Sequence, residues 1–376
     1  MIGKLPNSRL AIGSVIGFVV FLSVGAAVPS EDPLTEIDKK WEAMSSQLDQ
    51  EWNEMERTQQ EEWNRFKVDV EQKWQVFAHS TKKDWVAYNP KKEARSQVDF
   101  KEGKVVIEAV VPESDPLAFD KAKAMIEEQV TAALKEADVA GKRILENQIK
   151  TRSGGKVEPE VIKKYVKEEV LPKLKPDPMS YESRDGVKRK RFAVEINLVP
   201  EHIRIRAEKY LPFVSLNAER FRLKPQLILA IMHTESYFNP MAVSSCDAIG
   251  IMQIIPKHAG REAYQFVYGT DKVIGREYLL NPVNNIELGS AYLHLLKYRH
   301  FADVQAEVKN HYVVICGYNW GPTSMRSKIV DRYPISRMSD EEVYSLLRQK
   351  TPDETRDYIQ KVRERIPLYD PFFPRG

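Results

Sequence analysis

The chain has 376 residues, 42% of them hydrophobic, with a formal net charge of +3 and only 17 glycines. Its length suits about two domains. The two cysteines, Cys246 and Cys316, belong to no Cys or His ligand spacing, so composition gives metal binding no support.

The chain opens with Met1 to Arg9, which carries Lys4 and Arg9, followed by an uncharged apolar run from Leu10 to Val28. This reads as an export signal over residues 1–29. Ala26 or Ala27 offers a small-residue cleavage site, while nineteen apolar residues nearly suffice for an uncleaved anchor. Both outcomes stay open. Export argues against nucleic acid as a partner.

Over residues 30–89 the tryptophans recur at an interval of eleven: Trp41, Trp52, Trp63, Trp74 and Trp85. Three residues after each stand Met44, Met55, Phe66, Phe77 and Tyr88, and offsets of three and four share one helical face. Eleven residues make three turns of about 3.67 residues each, a register that drifts towards a right-handed supercoil. With neither Pro nor Gly between Leu34 and Tyr88, the pattern predicts one long amphipathic helix from about Ile37 to Val86. Its apolar seam needs a partner. A second copy in a coiled coil, another envelope protein, the bilayer surface and the rest of this chain are the alternatives.

Residues 90–199 read as a small α+β domain. Gln97 to Phe100 and Val105 to Val111 flank Glu102-Gly103 as a hairpin. Helical patterns follow at Asp115 to Ala140 and Glu158 to Lys173, and Arg191 to Leu198 alternates as a strand. The basic run Lys188-Arg-Lys-Arg191 is either a solvated face or a contact with membrane or wall carboxylates.

From residue 200 to 376 the patterns are helical: His202 to Arg222, Lys224 to Ser236, Asn284 to Tyr298 and Gln305 to Gly317. The fold class is therefore mainly α, with a small α+β domain and a long helix in front of a helical domain. Leu227 to Met232 form an apolar run, and Glu235 stands at its end before the turn at Asn239-Pro240. A carboxyl sheltered against apolar groups keeps its proton towards neutral pH, which makes Glu235 a candidate general acid.

Three segments, Glu235-Ser236, Gly250-Ile-Met-Gln253 and Tyr318-Asn319, resemble in order and spacing the signature of the family 1 lytic transglycosylases, whose fold is similar to goose-type lysozyme. Ile251 and Gly317 depart mildly from the family's Leu and Ala, and Trp320 stands where a smaller residue is usual. Asn197 to His202 and Lys209-Tyr-Leu211 extend the likeness to the subfamily of membrane-bound lytic murein transglycosylase C, and Tyr88 to Val111 is more weakly similar to the domain that precedes catalysis there.

The resemblance implies a cofactor-free enzyme that cleaves peptidoglycan between N-acetylmuramic acid and N-acetylglucosamine without water. Glu235 would protonate the bridging oxygen and then take the proton of the muramoyl C6 hydroxyl. Ser236, Met252, Gln253, Tyr318 and Asn319 would bind substrate, and Thr355-Arg-Asp-Tyr-Ile359 would add Tyr358. Plainer readings remain beside these: Met252 as core, Tyr318 as a packed aromatic, and Asp247 as a turn residue rather than a second acid.

The subfamily is usually anchored by lipid on a cysteine after the signal. Here no cysteine follows the apolar run, so the sequence does not read as a lipoprotein, and a periplasmic location at the membrane would rest on the apolar run or the tryptophan helix. Cys246 and Cys316 each precede a motif, and a bridge between them or a buried free thiol are both compatible with the sequence. A hydrolytic lysozyme and a non-enzymatic wall-binding scaffold are the rival functions.

Overall fold

The computed structural model describes residues 33–176 and 178–374, with few side chains placed before residue 57. The apolar run at residues 10–28 and its cleavage site therefore lie outside the described residues. Among those described, no helix is long and apolar enough to cross a membrane.

The chain forms two compact units, residues up to Phe77 together with Glu182–Lys188, and Ala78–Tyr181 together with Arg189 onwards. The first is built on helix α1 (Pro33–Lys73). This helix ends well short of the expected Val86, and the correction has a local cause. Beyond it, Val86 N–H donates to Ser80 Oγ at 2.9 Å and Asp84 N–H to Thr81 Oγ1 at 3.1 Å, side-chain bonds that compete with helix continuation. The segment after α1 instead lets Phe77 fold back on the helix: its ring meets Trp63 at 5.5 Å and Phe66 at 6.2 Å. Arg184 in the turn at 182–188 adds an ion pair to Glu71 at 2.6 Å. Three members of the stripe thus pack on one another, although Trp63 stays 41% exposed. The side chains of Trp41 and Trp52 lie outside the described ones.

The second unit begins with an antiparallel sheet. Strands β1 (Asp84–Tyr88), β2 (Ala94–Asp99), β3 (Lys104–Pro112), β4 (Met179–Glu182) and β5 (Lys188–Asn197) take the order β1-β2-β3-β5-β4. Trp85, assigned to the helix by its spacing, lies in β1 opposite Val98 and is buried. Burying a tryptophan in a sheet core outweighs the weak helix preference of its neighbours. The hairpin at Asp99–Lys104 is as expected from its glycine: Gly103 has φ +68°, and a Cβ there would come within 2.7 Å of the His202 ring.

Helix α2 (Ala118–Lys135) buries Ala122, Ile126 and Val130 in the sheet's core, and its Gln129 donates to Ala87 O at 3.0 Å. The basic run 188–191 lies in β5, where Arg191 is 3.5 Å from the buried Glu108, itself 2.6 Å from Arg95. One of its charges is thus engaged within the sheet. The pattern at 158–173 yields a short helix, α3 (Ile162–Tyr165), continued by two further helical turns.

Among the described residues nine α-helices follow: α4 (His202–Arg220), α5 (Pro225–Ser236), α6 (Arg261–Tyr268), α7 (Arg276–Leu280), α8 (Pro282–Leu295), α9 (Glu307–Trp320), α10 (Pro322–Met325), α11 (Asp340–Lys350) and α12 (Asp353–Arg365). Their common core centres on the all-buried run Leu227–Met232 of α5. The whole is mainly helical with one small sheet, as the sequence predicts.

One buried guanidinium ties sheet to helices. Arg206 of α4 donates to Phe100 O at 2.6 Å, to Gln148 Oε1 at 2.6 Å and to Tyr237 O at 2.9 Å. Burial lowers its pKa to about 9, still charged at neutral pH. Such a group is retained only with its donors satisfied.

Candidate functional site

Pro225 occupies the first turn of α5, where its missing N–H costs nothing. The helix closes at Ser236, since Tyr237 and Phe238 have φ of +53° and +62°. That paired left-handed turn is unusual for aromatic residues and is held by the Arg206 bond to Tyr237 O. His233, one turn before the end, bonds the Tyr369 hydroxyl at 2.9 Å and stacks on Phe238. Burial, then the charge of Arg365, depress it to about 3. It is a neutral packing residue.

Glu235 is 6% exposed. Burial raises its carboxyl to about 6, against the opposing pull of the Lys82 ammonium and the Tyr358 hydroxyl and with a smaller upward push from Glu354. Lys82 Nζ lies 3.8 Å from Glu235 Oε2 and 3.9 Å from Glu354 Oε1, too far for a direct hydrogen bond. The Tyr358 hydroxyl is buried without a hydrogen bond of good geometry, yet sits near enough to favour the Glu235 carboxylate. Burial, reinforced by that carboxylate, holds the phenols of Tyr318 and Tyr358 well above their usual range. The acid therefore faces two neutral hydroxyl groups, from α9 and α12.

The second motif is a tight turn fixed by a residue the sequence reading missed. Asn285 of α8 accepts from Met252 N–H at 2.8 Å and donates to Ile249 O and Leu279 O, both at 2.9 Å. Gly250 has φ +78°, and a Cβ on it would collide with Asn285 Nδ2 and Leu279 O. Gln253, at φ +53°, donates to Gly250 O at 2.9 Å. Among the described residues its Oε1 is buried without a hydrogen-bond partner.

The remaining predicted residues have definite places. Ser236 is fully buried, and its hydroxyl donates to Ile251 O at 2.7 Å, which clamps the Glu235 helix to the turn. Met252 is fully buried, its sulfur abutting Gly289. The Tyr318 hydroxyl donates to Met252 O at 2.8 Å, and Asn319 Oδ1 accepts from Thr355 at 2.7 Å. Through these bonds the three motifs and the Tyr358 helix are brought together. As placed, Ser236 and Met252 build the site's wall.

Asp247 is exposed with φ +57°, a turn residue. Cys246 is exposed and Cys316 buried, and both are free thiols. Arg356 pairs with Asp353 at 2.8 Å. Among the described residues, no group of three or more His, Cys, Asp and Glu side chains is arranged to hold a metal ion.

Nothing local marked Lys82 or Asn285. The first lies in a separate domain of the sequence, and the second is one polar residue on a helix whose other buried positions are mostly apolar.

A buried acid thus stands at a helix end beside a glycine turn and two phenols. The family described as the transglycosylase SLT domain matches residues 213–335. The N-terminal domain of membrane-bound lytic murein transglycosylase C matches residues 53–209. Residues 53–209 are thus similar to the N-terminal domain of the type C lytic murein transglycosylases and residues 213–335 to the transglycosylase SLT domain.

Among curated relatives, the membrane-bound lytic murein transglycosylase C of Pectobacterium atrosepticum is 42% identical over 177 residues, 46% of this chain and 49% of that protein. Its namesake from Yersinia enterocolitica is 39% identical over 184 residues, 47% and 51% of the two chains. The chain spans about half the length of the curated relatives it matches. The solved 70 kDa soluble lytic transglycosylase of Escherichia coli aligns at 23% identity and a TM-score of 0.37, covering 44% of this chain and 24% of that one.

Proposed function

We propose that the protein is a peptidoglycan lytic transglycosylase that cleaves the bond between N-acetylmuramic acid and N-acetylglucosamine and leaves a 1,6-anhydro end. The observation that carries this reading is Glu235, a buried carboxyl raised to about 6 inside the triple motif. A group poised there holds its proton for the leaving oxygen at mildly acidic to neutral pH, and its carboxylate then accepts the C6 hydroxyl proton as that oxygen closes on C1. One group serves both steps.

Gln253, whose Oε1 has no hydrogen-bond partner among the described residues, is the proposed partner of an acetamido N–H once the site opens to ligand, and Tyr318, Asn319 and Tyr358 are the other proposed substrate contacts. In this reading Met252 and Ser236 act through packing rather than direct contact. Residues 200–376 form the catalytic domain, and residues 90–199, with β1 added, the small domain in front. The relatives' names, membrane-bound, support an envelope location, and attachment through the apolar N-terminus is part of the proposal. Self-association of α1 through Trp63 and its stripe is the corresponding proposal for the arm.

A second reading has one observation in its favour. Glu354 lies 3.9 Å from the same Lys82 ammonium that neighbours Glu235, and a hydrolase needs such a second carboxylate to activate water. Digestion of purified sacculi separates the readings. Glu235→Gln should leave sacculi intact in both, whereas Glu354→Gln abolishes turnover only in the hydrolase. A wild-type protein that leaves sacculi intact would defeat both and turn attention to a wall-binding scaffold.

A further inference from the structure

Lys82 comes from the small domain and meets the acid of the helical one. Its placement is built rather than incidental. Thr81 N–H donates to Asp84 O at 2.9 Å and the Thr81 hydroxyl to Asp84 Oδ2 at 2.6 Å, closing a turn with Lys82 near its tip. Phe100 N–H donates to Lys83 O at 2.9 Å, fastening that turn to the sheet. Phe100 O in turn accepts from Arg206, whose Nε donates to Tyr237 O just beyond Glu235. One continuous set of hydrogen bonds thus fixes both the lysine turn and the end of the acid's helix.

We infer that Lys82 is a positioning residue of the active site, through which the small N-terminal domain supplies the counter-charge for the Glu235 carboxylate between the two proton transfers. This rests on the proposed acid-then-base role of Glu235. When Glu235 gives up its proton to the leaving oxygen, a carboxylate is created in a buried place. The ammonium 3.8 Å away stabilises that state most. Glu354, 3.9 Å from the same ammonium, shares the lysine with Glu235 and pushes the Glu235 carboxyl in the opposite sense. The groups facing Glu235 are then Lys82 from the turn before β1, Tyr318 from α9, and Glu354 and Tyr358 from α12. Among the described residues Lys82 is the one cation in that set.

The two charged neighbours act in opposite senses, which gives a test that a structural role would not mimic. Using the full chain and soluble uncrosslinked glycan strands, kcat/KM is measured against pH for the wild type, Lys82→Met, Lys82→Arg and Glu354→Gln. Loss of the lysine should carry the alkaline limb upward by about one pH unit. Glu354→Gln should carry it downward, and Lys82→Arg should leave it in place. Titration of the Glu235 carboxyl carbon by NMR in the substrate-free protein, assigned with Glu235→Gln, should show the same displacements.

An unmoved limb with only KM raised would make Lys82 a substrate-binding residue and overturn the inference. So would an unmoved NMR titration or a downward shift in Lys82→Met. The NMR titration does not depend on the product formed, so a failure of the transglycosylase reading and a failure of this inference are distinguishable.

Discussion

Asn285 accepts from Met252 N–H at 2.8 Å and gives both amide protons to Ile249 O and Leu279 O, so one buried side chain sets the turn that carries Gln253. Replacing it by alanine removes all three bonds, although Ile249 O still accepts from Ile254 N–H at 3.0 Å, and should cost about 3 kcal/mol. Gly250→Ala, strained at φ +78° and obstructed by the same carboxamide, should cost about 2 kcal/mol or more. Urea unfolding checks both. Either variant retaining wild-type stability would show that the turn tolerates rearrangement.

Glu235 should trade stability for function. Its folded pKa of about 6 lies above the ordinary 4.5, so its contribution to stability is fully present below about pH 4.5 and is lost as pH rises through about 6. Glu235→Gln should therefore be more stable than the wild type by up to about 2 kcal/mol at pH 8, with the gap closing by pH 4. Thermal unfolding at the two pH values reads this, and a variant less stable at pH 8 would contradict it.

Tyr358 favours the charged form of Glu235 without a well-formed hydrogen bond. Tyr358→Phe should thus raise the alkaline limb of the pH profile by about half a unit while leaving the fold intact. Tyr318→Phe removes a bond to Met252 O and should cost about 1 kcal/mol of stability. The two phenols would be equivalent if both variants only lost stability.

Much of this site was legible in the sequence because its motifs are local. An apolar run ending in Glu235, a glycine turn and a helix ending in Tyr318-Asn319 each have a signature within a few residues. The tryptophan repeat is equally local, and it misled for that reason. Its spacing continues to Trp85, but Ser80 and Thr81 divert the backbone and Trp85 finds a sheet core. Lys82, Asn285 and Arg206 act across long separations in the chain, where one sequence offers no pairing information.

The arm can be tested in the full chain. Phe77 covers one side of Trp63 and Phe66, but Trp63 remains 41% exposed. Sedimentation should show an assembly that Trp63→Ala weakens by about tenfold or more in Kd, as loss of a central aromatic anchor does. A monomer at all concentrations would remove self-association from the account.

The most direct measurement is mass spectrometry of the products released from purified peptidoglycan by the wild type and by Glu235→Gln. Muropeptides lighter by one water than hydrolysis products, formed by the wild type and absent with Glu235→Gln, are the predicted result. Reducing-end products from the wild type would contradict the single-carboxyl transglycosylase and assign the protein to hydrolysis.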